Sequence, residues 1–343
     1  MKFINLSDVH LSDSFDFESS YSNIIRRSKW DSFKDILESN KDVDFALISG
    51  DLYERDYFMS KDYDRLFRII ENFGKNIYYV TGNHDYIDRK NDFFFENKPQ
   101  NLYIFGSERI EFYEYKNVRI YGISYDDRIF SKRFNYSINL NKNYYNIGIF
   151  HGEITNINST YLSLDLERLK KIGFNYVGLG HIHKKTNFNN NIYYVGSIEP
   201  QSFKDKGKFG YIKYDNGDFF FKESSKLEFL ELNEDLSDYR NMDHMIDSIR
   251  DMFKGDYVFL RLKLDNYDLF DINEKKLRKE LDLIYIELVY KKSLSYYNDL
   301  IKKYPNTILQ DFYDSLLSLD EDEKVKERAL EIGIDAILRS RDV

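Results

Sequence analysis

The chain has 343 residues and a formal net charge of −9, a length that suggests roughly two domains, one of them large. Hydrophobic residues make up 42 % and charged residues 32 %, which marks a globular chain with ample core material, and the negative balance excludes a protein that coats nucleic acid through overall basicity. The lack of cysteine excludes disulfides, thiolate metal sites and cysteine nucleophiles.

No run of about 18 apolar residues is present, so no helical membrane span is expected. The opening "MKFINLSDVH" meets charge at once, unlike a signal peptide. A cytoplasmic location is expected.

Up to about residue 220, short apolar strands alternate with amphipathic helices. "KFINLSD" reads as a strand and "IIRRSKWDSFKDILES" as a helix, with Ile25, Trp30, Phe33, Ile36 and Leu37 near helical spacing. "VDFALISGD" is a strand, "DYDRLFRIIENFG" a helix closed by Gly74, and "NIYYVTGNHD" a strand again. Further strands are "VRIYGISY", "YNIGIFHGE", "FNYVGLGH", "NIYYVGSI", "FGYIKYD" and "DFFFKES". The two early strand–helix–strand units imply parallel pairing, and the later strands, with turns such as "DNGD", imply antiparallel pairing. The whole predicts a layered α/β sandwich. After about residue 225, "KLEFLEL", a helix over "YRNMDHMIDSIRDMF", "YVFLRLKL", a helix over "INEKKLRKELD" and "LIYIELVY" make a second, smaller α/β unit. From about Ser295 the chain turns helical, acidic and amphipathic.

Polar residues gather where the first-domain strands end: Asp8 and His10 in "SDVHL", Asp51 and Glu54 in "SGDLYE", Asn83, His84 and Asp85 in "TGNHD", His151 in "FHGE", His181 and His183 in "GHIH". Ligand sites of α/β sheets lie at such ends. Five of the six histidines fall in these motifs; His244 alone lies outside and reads as an ordinary helix-face residue. Aspartate, asparagine and imidazole donors without thiolate suit Mn²⁺, Fe²⁺ or Zn²⁺ better than Ca²⁺. Seven candidate ligands are too many for one closed tetrahedral site but fit two ions with open positions, with Asp51 able to bridge. Such a pair activates a bridging water and clamps a phosphate for in-line attack. Any one motif alone is more readily a capping or turn device; their ordered co-occurrence decides for metal.

The series D-x-H, G-D-x-x-E, G-N-H-D, H-G and G-H-x-H resembles the calcineurin-like metallophosphoesterase superfamily over residues 1 to about 220. The resemblance implies a four-layer α/β/β/α sandwich holding two divalent ions, manganese foremost, with iron, zinc or magnesium as alternatives. Carried over, one ion is held by Asp8, His10, Asp51 and His183, the other by Asp51, Asn83, His151 and His181. His84 is then no ligand but the catalytic histidine, oriented by Glu54, and Asp85 fixes the turn. The isoleucine between His181 and His183 is expected to turn inward and pack.

Within the superfamily, "DVHL", "GDLYE" and "YVGSIEPQSF" are similar to SbcD-like and YhaO-like DNA repair exonucleases. This implies a nuclease domain over 1–225, a capping domain over 226–292 and a helical tail over 293–343 that docks an SbcC/Rad-like coiled-coil ATPase. The expected activity is hydrolysis of DNA phosphodiesters by a metal-bridging hydroxide with His84 assisting. The alternatives are a small-molecule or phosphoprotein phosphoesterase, and a largely non-catalytic scaffold for the ATPase. A homodimer is implied by the family alone, with the helix over 21–39 as its interface. Lys184, Lys185 and Arg128 are the expected substrate contacts, beside the site. More remote candidates for phosphate contact are Arg26, Arg27 and Lys29, Lys132 and Arg133, and Lys204, Lys206 and Lys208. Phe15 and Tyr53 are candidates for base stacking, with core packing as the favoured alternative.

Overall fold

The structure is a computed structural model that describes residues 1–13, 19–87, 93–155, 159–188, 191–265, 269–290 and 294–339. It divides into two compact units, Met1–Phe229 with Gly255–Tyr257, and Leu230–Lys254 with Val258–Val343.

The first unit runs β1 (Lys2–Leu6), α1 (Ser19–Ser39), β2 (Phe45–Ser49), α2 (Ser60–Phe73), β3 (Asn76–Val80), α3 (Phe93–Asn97) and β4 (Leu102–Ile104). It continues through β5 (Glu111–Tyr115), β6 (Val118–Gly122), β7 (Tyr145–His151), β8 (Glu153–Ile154), β9 (Ser163–Leu164), α4 (Leu166–Ile172) and β10 (Tyr176–Gly180). Four more strands follow: β11 (Thr186–Phe188), β12 (Ile192–Tyr194), β13 (Gly210–Asp215) and β14 (Asp218–Glu223). One sheet has the order β14-β13-β1-β2-β3-β4, the other β11-β12-β10-β7-β6-β5.

In the first sheet β1 to β4 are parallel, and β13 runs antiparallel to β1 before turning at Asp215–Asp218 into β14. The expected antiparallel pairing therefore holds at "DNGD", but not in the middle of the second sheet, where β6, β7, β10 and β12 are parallel. The cause is the connections: the long segment after Gly122, and the one carrying α4, return the chain to the same end of the sheet before the next strand begins. Helix α4 and strand β5 were not expected from the sequence; seven and five residues respectively give too few turns for a clear period.

Burial orders these elements into four layers. Phe3, Phe45, Leu47 and Tyr78 of one sheet pack with Ile120, Ile147, Ile149 and Tyr176 of the other. On the outer face of the first sheet, Ile4, Leu6, Ile48 and Tyr79 meet Trp30, Phe33, Ile36 and Leu37 of α1 and Leu66, Ile70 and Phe73 of α2. On the outer face of the second, Tyr121, Phe150, Val177 and Leu179 are covered by Leu169 of α4 and by Phe130 and Phe134. Each buried Leu or Phe contributes about 1.5–3 kcal/mol. Helix α2 ends as expected at Gly74, whose φ of 69° supplies the left-handed cap.

A polar seam crosses the inner layer. Asn5, fully buried, donates to Leu6 O at 2.9 Å and to Ser49 Oγ at 3.0 Å, and accepts from the Tyr176 hydroxyl at 3.0 Å. It ties the two sheets together directly beneath the strand ends that carry the polar motifs.

The second unit takes in most of β15 (Leu227–Asp235), then α5 (Met242–Ile249), β16 (Tyr257–Asp265), α6 (Glu274–Glu280) and β17 (Leu283–Tyr290). These make a three-stranded sheet in the order β15-β16-β17. Alternation along β16 sends Val258, Leu260, Leu262 and Leu264 to a core with Met245, Ile246 and Ile249 of α5 and Leu277 of α6. The opposite face carries Arg261, 2.8 Å from Glu287, and Lys263, 2.9 Å from Glu231. Helices α7 (Leu294–Lys302), α8 (Ile308–Leu317) and α9 (Glu323–Arg339) close on a core of their own around Tyr297, Ile301, Leu309, Tyr313, Leu330 and Ile334. Among the described residues no helix is long and apolar enough to cross a membrane.

Candidate metal centre

Parallel strands deliver their C-terminal ends to one side of each sheet, and there the motifs converge. The loops after β1 and β2 are joined through their backbones, Asp8 N donating to Gly50 O at 3.1 Å and His10 N to Asp51 O at 3.0 Å. This path places Asp8, His10 and Asp51 at φ of 50°, 49° and 50°, and His181 after β10 at 89°. Left-handed backbone at non-glycine residues carries a cost that clusters at functional sites. Here it falls on four of the seven expected ligands.

One ligand atom each from Asp8, His10 and His183 lies within 4.8 Å of the others, and the same holds for Asp8, Asp51 and His151 and for His10, Asp51 and His84. His10 Nε2 stands 3.8 Å and His151 Nε2 3.2 Å from Asp51 Oδ2, and Asn83 Oδ1 lies 3.1 Å from His151 Nε2. His181 joins none of these triplets. Its amide donates to Asp8 Oδ1 at 2.9 Å, and its ring lies against Tyr161, with centroids 4.2 Å apart, and 5.3 Å from the His151 ring.

The donor chemistry fits divalent ions on an independent observation. Asp8 Oδ2 and His10 Nε2 are buried and have no hydrogen-bond partner. Orphaned buried polar atoms are costly unless something satisfies them, and a cation does so for a carboxylate oxygen and an imidazole nitrogen together. His151 is fully buried with Nδ1 donating to Ser49 O at 3.0 Å, which leaves Nε2 as the nitrogen facing Asp51. Gly82 makes this approach possible, because a Cβ there would lie 2.2 Å from Asp51 Oδ1 and 2.8 Å from the His151 ring.

His84 is set differently. Its side chain is 43 % exposed, and its amide donates to Asp51 Oδ1 at 2.9 Å. Its Nδ1 lies 2.8 Å from Glu54 Oε2, and the other oxygen of Glu54 lies 2.5 Å from His10 Nδ1. Burial opposes charge on His84, but the Glu54 hydrogen bond and the Asp51 charge overcome it and raise its pKa to about 9. Against its own burial, Glu54 is held at about 2 by the hydrogen bonds from His10 and His84. The dyad is therefore a carboxylate beside a protonated imidazole, the form that can donate a proton. Asp85 accepts from the amides of Gly82 at 2.6 Å and Leu52 at 2.5 Å and from the Tyr79 hydroxyl, so it locks the turn that presents His84.

The expected substrate contacts are scattered. Lys184 is exposed. Lys185 is exposed with its ammonium 5.1 Å from the centre of the Phe221 ring, and Arg128 is ion-paired with Asp56. Of the remoter cations, Lys29 is buried beside Asp13, Arg26 donates to Asp13 O, Lys132 is held by Asp126 and Ser107 O, and Lys208 pairs with Glu223. Tyr53 takes the packing alternative, stacked among Phe58, Tyr63 and Phe94. Phe15 lies outside the described residues. Ile182 does not turn inward: it is 36 % exposed while His181 and His183 on either side are partly buried.

Two groups close to the site were not singled out in the sequence. Glu153 Oε1 lies 3.2 Å from His181 Nε2, and Asp205 Oδ1 lies 3.8 Å from His183 Nδ1. Asp205 comes from a turn of its own, where it accepts from Gln201 N at 2.8 Å and Ser202 N at 3.1 Å.

The profile of calcineurin-like phosphoesterases matches residues 1–185, more than half of the chain. The protein belongs to the calcineurin-like phosphoesterase family. It is therefore a metal-dependent phosphoesterase, and its donor set fits the two-ion site of that family. It is 26 % identical over 300 residues to YhaO, an uncharacterized metallophosphoesterase of Bacillus subtilis, over 77 % of this chain and 71 % of that protein. The metallophosphoesterase-like protein YydB of the same organism is 33 % identical over 89 residues, 25 % of this chain and 18 % of that one. Among solved structures, TT1561 of Thermus thermophilus is similar with 13 % identity and a TM-score of 0.40, over 65 % of this chain and 98 % of that one. A dimetal phosphatase from Danio rerio has 12 % identity and a TM-score of 0.39, over 62 % and 91 %.

Proposed function

We propose that this phosphoesterase is a two-metal phosphodiesterase that hydrolyses DNA, with manganese as the working ion. The observation that carries its hydrolytic part is the pair of orphaned buried atoms, Asp8 Oδ2 and His10 Nε2, within a cluster of carboxylates and imidazoles. Asp8, His10, Asp51 and His183 would hold one ion, and Asp51, Asn83, His151 and His181 the other. When bound, such ions supply Lewis-acid charge to a transferring phosphoryl group. The chain's own contribution is to engage Nδ1 of His10 with Glu54 and Nδ1 of His151 with Ser49 O so that Nε2 of each ring faces Asp51, and to present a protonated His84 where a leaving oxygen departs. The exposed face of His84 gives a phosphodiester access to that proton.

The DNA substrate rests on the sequence resemblance to repair exonucleases and on the extra α/β unit and helices beyond residue 229. In this reading the second unit caps the nuclease, the helices from Leu294 onward dock a coiled-coil ATPase, and Lys184, Lys185 and Arg128 border the phosphate path. The small-substrate alternative gains from one observation: Arg128 is already neutralised by Asp56. The scaffold alternative is opposed by the intact Glu54–His84 contact.

The test is hydrolysis of a labelled linear duplex and single strand with Mn²⁺, alongside a small phosphodiester, with and without a coiled-coil ATPase encoded beside the protein. Faster turnover of DNA supports the proposal; faster turnover of the small diester in both conditions replaces it with the alternative. Removal of residues 295–343 is expected to abolish ATPase binding and leave basal hydrolysis, and unchanged co-purification refutes the docking role.

A further inference from the structure

Glu54, Glu153 and Asp205 share one relation to the centre. None belongs to the proposed ligand set, and each stands beside one ring nitrogen of a histidine that does. Glu54 lies 2.5 Å from His10 Nδ1, Glu153 lies 3.2 Å from His181 Nε2, and Asp205 lies 3.8 Å from His183 Nδ1. An ionised carboxylate only accepts hydrogen bonds, so the contacts of Glu54 and Glu153 draw the proton to the facing nitrogen, and Asp205, at ion-pair distance, favours it there by charge. The other nitrogen of each ring is the one turned from its carboxylate and open to a metal: Nε2 of His10, Nδ1 of His181 and Nε2 of His183. The fourth imidazole, His151, is set the same way by a backbone carbonyl, Ser49 O.

We propose that Glu54, Glu153 and Asp205 form an outer carboxylate set that fixes which nitrogen each histidine presents to a metal, and that Glu54, by gripping His10 and His84 together, serves both metal loading and the catalytic histidine. The inference rests on the two-metal reading above. Glu54 is the strongest case, since its two oxygens are divided between two imidazoles at 2.5 and 2.8 Å in a buried position. Asp205 is held by two backbone amides, so it acts as a fixed post against which the His183 ring turns. These are positioning residues: carboxylates behind ligand histidines raise imidazole basicity and set ring orientation, and their loss lowers metal affinity about 10–100-fold.

The experiment is a Co²⁺ titration of the full metal-stripped chain, followed by the visible absorption of the bound ion, for wild type, Glu54→Gln, Asp205→Asn and His84→Ala. Thermal melting of each metal-free protein controls for folding. The expected result is Co²⁺ affinity weakened about 10–100-fold in Glu54→Gln and Asp205→Asn, with altered absorption bands, while His84→Ala binds like wild type. Wild-type affinity and spectra in both carboxamide variants overturn the proposal. If Glu54→Gln fails to fold, Asp205→Asn decides alone, because an asparagine oxygen can still accept from the turn amides. Failure of wild type itself to take up cobalt would instead overturn the two-metal reading.

Discussion

The two units of this chain use the same materials to different ends. In the first, left-handed backbone falls on Asp8, His10, Asp51 and His181, and buried carboxylates and imidazoles crowd together with two atoms left unsatisfied. In the second, left-handed residues are Asp282 and Asn306, both of types that adopt this conformation readily in turns. Its sheet carries charged residues in ordinary pairs such as Arg261–Glu287. Among the described residues every cluster of potential metal ligands lies in the first unit. Left-handed ligand-type residues and the orphaned donor atoms of Asp8 and His10 thus mark the metal centre, and well-packed aliphatic residues on regular elements characterise the second unit.

Four substitutions can break or sharpen this contrast. The largest effect is expected from His84→Ala, which should lower phosphodiester hydrolysis about 10²–10⁴-fold, the range for loss of a proton donor, while leaving metal content unchanged; steady-state rates with Mn²⁺ measure it, and equal cleavage by variant and wild type would remove His84 from the mechanism. In the second unit, Leu260→Ala empties a fully buried position and should cost about 2–5 kcal/mol of stability in denaturant unfolding. Metal affinity should not change, and a parallel loss of metal would show the two regions to be coupled. Gly82→Ala places a Cβ against Asp51 and His151 and should cost about 1–3 kcal/mol, read as weaker metal binding by titration calorimetry. The smallest effect belongs to Lys184→Ala: if this exposed lysine meets a phosphate, DNA binding weakens a few-fold and the salt dependence of log K falls by about 1, whereas an unchanged salt slope removes it from the phosphate path.

Much of the site was legible because each donor sits at a strand's end in a short motif. "SDVHL", "SGDLYE", "TGNHD" and "GHIH" announce both the residue and its place in the fold. Helix α1 was legible too, since Trp30, Phe33, Ile36 and Leu37 repeat with the helical period and all are buried. What escaped depends on distance along the chain. Asp205 meets His183 from a separate turn, and Glu153 meets His181 from beyond another strand, so no local spacing links them. The parallel core of the second sheet was hidden because its crossovers contain little helix, and Ile182 misled because hydrophobicity alone says nothing about which neighbours have claimed the interior.

The central claim is that Asp8, His10, Asp51 and their partners hold two ions for phosphodiester hydrolysis. Elemental analysis of the full chain, stripped and then dialysed against Mn²⁺, tests it most directly. About two ions per chain are expected for wild type and for His84→Ala, falling to about one or none in Asp8→Asn. Two ions retained in Asp8→Asn, or none bound by wild type, would contradict the account.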